Sequence, residues 1–507
     1  MIHRTSRFRA LAVAVLAVVT LAGCSTPRPA ATLGSGETVA PELVKFYSQQ
    51  LDWTNCNGGF ECATAKAPVD WAAPSGDTIS LSLIRHRASG SNRVGSLFVN
   101  PGGPGASGVK FVRESLDYAV DATVQKSFDV IGFDPRGIGE STSVKCLDAP
   151  GMNEYIYGLP TAKRGTSANL DERMKAATEF AQACEKNTGA LLAHVDSIST
   201  ARDLDMMRAL VGDASLNYLG YSYGTFIGAM YAQTFPAKVG RLVLDGAVDP
   251  EVSSADAMKA QAVGFEMALT NYLQWCFTQN DCPLAHNLDS ARAKISSLLA
   301  EVDVAPIMNT DGRELGADTL VTAIIAPLYS KNSWKYLSKM FTDVMVNDSA
   351  EVAFALADWY NERKEDGTFA SNQNEAYTAV SCLDGPASPQ SGWAAEAAAL
   401  KKSAPLIGPY LSYAEVSCSV WPHKAVITPG PLGATGDAPI VVIGTTGDPA
   451  TPMAWAESLS AQLTNGKLIR LSGEGHTGYN RGSQCVNKVV DDYLVSGTIP
   501  GKLTSCS

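Results

Sequence analysis

The stretch Gly220-Tyr221-Ser222-Tyr223-Gly224 decides the fold. It follows the apolar run of residues 216–219 and precedes a helical stretch at residues 225–234. A serine flanked by small residues, where a strand gives way to a helix, is typical of a nucleophile elbow, a sharp turn that exposes the hydroxyl. The alternative is a glycine-rich turn whose serine caps the following helix. The strand before the turn and the helix after it favour the elbow.

Short apolar runs alternate with helical stretches on both sides of this turn. Continuous runs rich in Val, Ile, Leu and Phe suit strands that are buried on both faces, as in a mostly parallel sheet. We predict strands at residues 78–85, 96–100, 128–133, 216–219, 242–244, 440–443 and 468–471. Helical segments such as residues 201–211 lie between them, so the sequence predicts an α/β fold.

The alternation stops near Pro250 and resumes near Pro439. Between them we find helical patterns and no good strand, at residues 255–278, 288–302, 318–346, 349–364 and 393–402. Long structureless loops are uncommon in a compact domain, so we predict a helical cap inserted into the core. The predicted core comprises residues 46–250 and 426–507, and the predicted cap comprises residues 251–425.

A serine nucleophile needs a base that accepts its proton. Of the six histidines, His476 lies just past the predicted strand 468–471, at the edge where α/β proteins place active sites. Asp448 follows the preceding strand, and the order Ser, Asp, His is the one used by the α/β-hydrolase fold. We predict a triad of Ser222, Asp448 and His476; for Asp448 the alternative is an Asx turn. Thr451 either supports the Asp448 carboxylate or caps the next helix.

Acyl transfer also needs hydrogen-bond donors for the oxyanion. The run Asn100-Pro101-Gly102-Gly103-Pro104-Gly105 leaves a predicted strand as a glycine-rich loop whose backbone amides are free to face a substrate. We predict that the backbone N–H groups of Gly103 and Tyr223 form the oxyanion hole.

The same loop also fits a dinucleotide-binding pattern. Residues 103–108 match Gly-x-Gly-x-x-Gly after a strand, with Asp134 placed as a ribose-binding acid. This interpretation leaves the predicted triad unexplained, and we reject it. We therefore expect no cofactor.

The N-terminus predicts export. Arg4, Arg7 and Arg9 precede an apolar run at residues 10–23, which is shorter than the about 20 residues that span a bilayer. A basic start and a short apolar run are typical of a secretory signal, here residues 1–23. The run ends in Leu21-Ala22-Gly23-Cys24, which resembles a bacterial lipobox and implies lipidation of Cys24. We expect a lipoprotein anchored to the outer face of the cell membrane through a tether of residues 24–45; the alternative is an ordinary signal peptide.

Cysteine use agrees with export. Of eleven cysteines, those other than Cys24 are even in number, and oxidising compartments favour disulfides. Short-loop pairing predicts Cys56–Cys62, Cys146–Cys184, Cys276–Cys282, Cys382–Cys418 and Cys485–Cys506, with buried free thiols as the alternative for some.

No Cys or His spacing is typical of a metal site, so we expect no metal. The net charge of −11 disfavours nucleic acid as a partner.

Over nearly all of the mature chain, the sequence resembles the tripeptidyl-aminopeptidase-like serine proteases of actinobacteria, relatives of the prolyl iminopeptidases. We call the run from Asn100 to Gly105 the oxyanion loop. The motifs that carry the resemblance are this loop, the turn Phe133-Asp134-Pro135-Arg136-Gly137, the elbow with Thr225, Leu244-Asp245-Gly246, Gly447-Asp448 and Gly475-His476. Relatives often begin the oxyanion loop with His, whereas this sequence has Asn100-Pro101. In this loop the resemblance therefore rests on the glycines. The resemblance implies release of short peptides, tripeptides above all, from substrates with a free N-terminus.

An exopeptidase must bind the substrate ammonium group, and a cap carboxylate suits that task. Our candidates are Glu266, near Cys276, and Asp384, two residues after Cys382. For each, the alternative is a solvated or locally paired carboxylate.

An esterase or lipase acting on cell-envelope or host lipids would use the same triad. A binding lipoprotein on a degenerate hydrolase fold is a third hypothesis, and the intact triad argues against it.

Overall fold

The computed structural model describes residues 31–32, 37–433 and 435–507. The predicted signal segment and Cys24 lie outside the described residues. Ten strands form the main sheet, in the spatial order Leu503–Cys506, Gly466–Glu474, Ile440–Gly447, Val239–Asp245, Leu216–Tyr221, Gly95–Asn100, Phe128–Phe133, Thr78–His86, Phe60–Pro68 and Thr54–Asn55.

The sheet is mostly parallel. The seven strands from Leu503–Cys506 to Phe128–Phe133 run parallel to their neighbours, and the remaining three pair antiparallel. After Gly95–Asn100 the chain passes first to Phe128–Phe133 on one side and later to Leu216–Tyr221 on the other. Parallel sheets bind their ligands at the carboxyl ends of strands that flank such a reversal. The oxyanion loop and the elbow both leave the sheet there, as in the α/β-hydrolase fold that the sequence predicts.

The apolar runs form strands because both faces of the sheet are covered. Every residue of Gly95–Asn100 and of Phe128–Phe133 is buried. Phe98 packs into the hydrophobic cluster on one face, and Leu97 and Val99 pack into the cluster on the other face. The alternating directions of strand side chains therefore supply two apolar layers, one on each side of the sheet.

Helices of the core cover these faces. The core helices are Val44–Tyr47, Gly108–Ala119, Ala122–Ser127, Ala149–Tyr157, Ser167–Thr188, Ser197–Leu210, Tyr223–Thr234, Met453–Gln462 and Gln484–Asp491. Strand Phe60–Pro68, which the sequence analysis did not predict, pairs along its whole length with Thr78–His86. Its segment contains three alanines and a lysine, which are weak strand formers, so propensity gave little signal.

A helical insertion lies between strands Val239–Asp245 and Ile440–Gly447. Its helices are Ser254–Cys276, Leu288–Val304, Ala317–Leu328, Trp334–Val346, Glu351–Tyr360, Gln373–Asp384, Trp393–Ser403, Gly408–Leu411 and Val416–Ser419. The pattern at residues 318–346 is two helices rather than one, Ala317–Leu328 and Trp334–Val346, and Pro327 lies in the last turn of the first. A two-stranded hairpin, Ile307–Met308 with Glu314–Leu315, also occurs where no strand was expected.

The insertion has a hydrophobic cluster of its own, built around residues such as Leu273, Leu320 and Phe341. Helix Gln373–Asp384 is different, because its Val380 and Leu383 pack into the cluster of the α/β core. The helix that carries Asp384 is therefore fixed to the core, although it lies within the inserted sequence.

All five predicted disulfides are confirmed: Cys56–Cys62, Cys146–Cys184, Cys276–Cys282, Cys382–Cys418 and Cys485–Cys506. The Cys382–Cys418 bond ties helix Gln373–Asp384 to helix Val416–Ser419. Within the part of the chain that the structure describes, no helix has the length and apolar character to cross a membrane.

Candidate active site

Ser222 occupies the turn between strand Leu216–Tyr221 and helix Tyr223–Thr234. Its backbone has φ 54° and ψ −125°, a conformation that non-glycine residues rarely adopt. Its N–H donates to the carbonyl of Asp245 at 2.8 Å, and its own carbonyl accepts from Thr225 N–H at 2.9 Å. A Cβ on Gly220 would lie 2.4 Å from the Gly224 carbonyl oxygen, so the turn requires its flanking glycines. These features match the geometry of a nucleophile elbow.

Asp448 and His476 lie in contact. Nδ1 of His476 is 2.8 Å from one carboxylate oxygen of Asp448 and 2.9 Å from the other. The Asp448 side chain is buried, and its carboxylate also accepts from the backbone N–H groups of Ala450 and Thr451, both at 2.9 Å, and of Thr477 at 3.2 Å. An acid fixed in this way orients the imidazole and stabilises its charged form during catalysis.

The His476 ring lies close to the elbow, and His476 follows strand Gly466–Glu474, the next strand along the chain after Asp448. Its Cε1 would lie 3.1 Å from a Cβ on Gly246, the residue after the Asp245 carbonyl that holds Ser222. Its Nε2 is buried and has no hydrogen-bond partner among the described residues. The structure therefore brings the three predicted residues to one edge of the sheet, with Nε2 as the free basic nitrogen.

Thr451 contacts both the acid and the base. Its hydroxyl donates to Asp448 at 2.9 Å and lies 3.3 Å from His476 Nδ1. The helix that follows, Met453–Gln462, has no side-chain cap. Of the two roles left open by the sequence, support of the carboxylate is the one that the structure shows.

Gly102 brings the oxyanion loop to the elbow. A Cβ on Gly102 would lie 2.5 Å from the Tyr221 carbonyl oxygen and 2.9 Å from Ser222 Cβ, so only glycine fits. Its N–H is already bound to Oδ1 of Asn100 at 2.8 Å, which leaves the next amide, that of Gly103, as the candidate donor of this loop. The second predicted donor, Tyr223 N–H, begins a helix, where amides lack a partner within the helix.

Asp245 is a functional residue whose role the sequence analysis missed. Its carboxylate accepts from the backbone N–H groups of Gly478 and Tyr479 at 2.8–3.0 Å, while its carbonyl holds Ser222. Complete burial raises the pKa of its carboxyl to about 6. One residue therefore couples the nucleophile turn to the loop that carries His476.

The rejected dinucleotide pattern would use the Asp134 carboxylate to bind a ribose, but this carboxylate already accepts three hydrogen bonds within the protein. Its carboxylate accepts from the Ser107 hydroxyl at 2.5 Å and from the N–H groups of Val109 and Glu140 at 3.0 and 2.7 Å. Two of these bonds fix the start of helix Gly108–Ala119, which follows the oxyanion loop, to the end of strand Phe128–Phe133. In residues 37–433 and 435–507 no group of three or more His, Cys, Asp or Glu side chains is placed to hold a metal ion.

The structure corrects the role predicted for Glu266. Its buried carboxylate forms an ion pair with Arg292 and accepts from the backbone N–H groups of Leu406 and Ile407 at 3.2 Å. A carboxylate with these partners has its charge compensated and is not available for a substrate amine. Glu266 therefore joins helices Ser254–Cys276 and Leu288–Val304 to the turn at residues 405–407 and is a structural residue.

Asp384 lies beside the elbow. Its carboxylate accepts from Ser197 N–H at 2.9 Å and from the hydroxyl of Tyr223, the residue after the nucleophile. That hydroxyl also lies 2.7 Å from the Ser197 hydroxyl. No lysine or arginine of the described chain is among the charges that act on Asp384, and burial raises the pKa of its carboxyl to about 8. An incoming ammonium group would stabilise the ionised form of this acid, which has no cationic partner of its own.

Known proteins resemble this chain over nearly its whole length. Residues 404–506 match a sequence family described as TAP-like protein. The serine protease Hip1 of Mycobacterium tuberculosis is 33% identical over 499 residues, which cover 93% of each chain. The tripeptidyl aminopeptidase of Streptomyces lividans is 30% identical over 471 residues, covering 90% of this chain and 86% of its own. The chain belongs to the tripeptidyl-aminopeptidase-like family of α/β-hydrolases.

Members of this family differ in the activities that their names state. A protein named carboxylesterase B, also from Mycobacterium tuberculosis, is 34% identical over 511 residues, covering 97% of this chain and 95% of its own. Protease, aminopeptidase and esterase are all hydrolase activities that a serine triad supports. Membership therefore identifies a serine hydrolase, and the bond that it cleaves depends on what surrounds the triad.

Proposed function

We propose that this protein is an exported serine aminopeptidase that releases short peptides, chiefly tripeptides, from free N-termini through an acyl-enzyme intermediate. In this mechanism Ser222 attacks the scissile carbonyl while His476 accepts its proton. The N–H groups of Gly103 and Tyr223 stabilise the oxyanion. His476 then donates the proton to the leaving nitrogen, and water releases the acyl group by the same route.

The observation that carries the proposal is the position of Asp384. An ester of a simple acid carries no ammonium group, so an esterase needs no unpaired acid of this kind beside its nucleophile. A free N-terminus that reaches Asp384 would ionise the carboxyl and form a charge-assisted hydrogen bond. Asp384 is thus the candidate that remains of the two carboxylates predicted from sequence.

The place of Asp384 also limits the length of the released peptide. The side chain of one residue, Tyr223, separates the carboxylate from the nucleophile turn. Extended peptide spans about 3.3–3.6 Å per residue, so only a few residues fit between an amine at Asp384 and a carbonyl at Ser222. This arrangement supports release of short peptides rather than cleavage within long chains.

Export and lipid anchoring remain part of the proposal. The five disulfides fit an oxidising compartment outside the cytoplasm. The anchor itself depends on Cys24, which the structure does not describe. Replacement Cys24→Ser should move the protein from the membrane fraction to the medium, and unchanged membrane association would contradict the anchor.

The test of the activity compares three substrates: a tripeptide p-nitroanilide with a free N-terminus, the same compound acetylated, and a short-chain p-nitrophenyl ester. We expect rapid turnover of the free peptide and a loss of at least about 10-fold on acetylation, since a hydrogen bond to a charged group contributes about 1.5–3 kcal/mol. Ser222→Ala, which should lower kcat by at least about 10⁴-fold, shows that turnover comes from this site. If acetylation changes nothing and the ester is the better substrate, the protein is an esterase.

A further inference from the structure

Tyr329 in the cap lies directly against the catalytic base. The backbone N–H of His476 donates to the Tyr329 carbonyl at 2.8 Å. The two rings meet edge to face, with centroids 5.5 Å apart and an interplanar angle of 79°. The cap therefore contributes both a backbone contact and an aromatic surface at His476.

Two further tyrosines extend this surface. The hydroxyl of Tyr360 lies 3.4 Å from that of Tyr329, and the ring centroids are 6.1 Å apart. Tyr377 belongs to the first turns of helix Gln373–Asp384, and its backbone nitrogen would lie 3.2 Å from a Cβ on Gly105 of the oxyanion loop. Tyr329 therefore lies at the base and Tyr377 at the oxyanion loop, with Tyr360 next to Tyr329.

Two of these side chains are open to solvent although they lie beside the catalytic residues. Tyr360 is 37% exposed and Tyr377 is 47% exposed. Large aromatic groups left accessible next to a reaction centre are characteristic of a binding subsite.

The direction of the substrate follows from the two ends of the site. With the amine at Asp384, the acyl part runs along Tyr223 to Ser222. The chain beyond the scissile bond starts at the nitrogen that receives a proton from His476 Nε2. Groups packed on the His476 ring therefore flank the leaving chain, and Asp384 with Tyr223 flanks the acyl chain.

We propose that Tyr329, Tyr360 and Tyr377 form the subsite for the first residue of the leaving chain, and that this subsite selects apolar and aromatic side chains. The inference rests on the proposed aminopeptidase function, which fixes the direction of the substrate. Aromatic pairs in offset or edge-to-face geometry contribute about 0.5–1.5 kcal/mol beyond their buried area. The three side chains are phenols, which offer hydrogen bonds but no charge to pair with, so a charged side chain would lose hydration without gaining an ionic partner.

The test uses tetrapeptides that share their first three residues and end in Phe, Ala or Asp. Release of the last residue gives kcat/KM for each peptide in the wild type and in Tyr360→Ala. We expect the wild type to prefer Phe over Ala by about 10-fold, as burial of an aromatic side chain contributes about 1.5–3 kcal/mol, and to reject Asp. Tyr360→Ala should reduce the Phe to Ala ratio to near one.

The matched control is Tyr336→Ala, which removes a tyrosine that is 48% exposed on another cap helix, Trp334–Val346. It should keep the wild-type ratio. Tyr377→Ala is a second variant and should also lower the ratio. All four proteins form the same acyl-enzyme from these peptides, so its hydrolysis rate, measured after a burst, should stay constant if the tyrosines act on the leaving residue alone.

A Phe to Ala ratio that is the same in the wild type, Tyr360→Ala and Tyr377→Ala would overturn the subsite. That result would leave the proposed function standing, because the peptides would still be cleaved and the need for a free amine is measured separately by acetylation. If no tetrapeptide is cleaved, the aminopeptidase function and the subsite that rests on it both fail.

Discussion

Thr451 connects the acid and the base of the triad through one hydroxyl. It donates to the Asp448 oxygen that also lies 2.8 Å from His476 Nδ1. In the buried pair of Asp448 and His476, each donor to the carboxylate helps to fix the direction in which it faces the imidazole. The hydroxyl therefore acts on catalysis through the orientation of His476 and has no need to touch substrate.

Replacement Thr451→Val, which keeps the shape and removes the hydroxyl, should lower kcat by about 10-fold, since one hydrogen bond to a charged group contributes about 1.5–3 kcal/mol. KM should change little, because Thr451 does not contact the amine anchor or the leaving-residue subsite. Steady-state kinetics on the free tripeptide p-nitroanilide measure both. Thr451→Ser restores the donor and should recover most of kcat; equal losses in the Val and Ser variants would show that only packing matters.

For single residues of the site, the sequence predicted the positions that local motifs identify. The elbow is a run of five residues between a strand and a helix, and Asp448 and His476 follow strands that the apolar pattern identifies. The partner of a side chain depends on the path of distant segments, so the sequence did not separate the two roles of Thr451. It also missed the carboxylate of Asp245, which binds amides more than 230 positions away.

Among the elements, helix Gln373–Asp384 contacts the catalytic machinery at both of its ends. Its first turn rests on the oxyanion loop, where a Cβ on Gly105 would lie 2.5 Å from the Gln373 carbonyl oxygen. Its last residue is Asp384. The helix was not predicted, because its polar first turn lacks the 3.6-residue apolar period that identifies helices.

Replacement Gly105→Ala should move this helix away from the oxyanion loop, since 2.5 Å is far below any permitted contact between carbon and oxygen. We expect kcat/KM for the free tripeptide to fall by about 10- to 100-fold, because a displacement of about 1 Å at a catalytic group has effects of this size. Gly59→Ala is the matched control. Gly59 also has a positive φ, 84° against 104° for Gly105, but nothing lies within 4 Å of its added Cβ.

Both substitutions incur the strain of a left-handed backbone, about 1–2 kcal/mol, so both should lower the melting temperature. Only Gly105→Ala should also lower activity in the protein that remains folded. If the two variants lose activity equally at a temperature well below melting, the contact with Gln373 has no role in catalysis.

For the whole molecule, the cap touches each catalytic loop of the core. Gly264 packs on Pro449 in the loop of the acid, where a Cβ would lie 2.3 Å from the Pro449 carbonyl oxygen. Tyr329 holds the loop of the base, and Gln373 rests on the oxyanion loop. The sequence predicted an inserted helical cap, but contacts between segments so far apart along the chain carry no local signal. They follow from the fold as a whole, which is why Glu266 and Asp384 could be told apart only in three dimensions.

Asp384, at the end of the cap helix beside the elbow, gives the molecule a characteristic dependence on pH. Burial raises the pKa of this carboxyl to about 8 in the free enzyme, with the hydrogen bonds from Ser197 opposing the rise and Asp196 adding to it. The α-amino group of a peptide has a pKa of about 7.7–8.0. Below both values the carboxyl is neutral and the amine is charged, so binding releases a proton and strengthens as pH rises. Above both values the amine is neutral, so binding takes up a proton and weakens as pH rises.

The kcat/KM of a tripeptide with a free N-terminus should therefore reach its maximum near pH 8, with an acid limb due to Asp384. Asp384→Asn keeps an oxygen acceptor for Ser197 and removes the charge, so it should abolish this limb and lower kcat/KM at pH 8 by about 10- to 100-fold. The acetylated peptide supplies the control, because it has no ammonium group and its weaker turnover should respond little to the substitution. A limb near pH 8 that persists in Asp384→Asn, or that appears equally with the acetylated peptide, would place the titration elsewhere and remove Asp384 as the amine anchor.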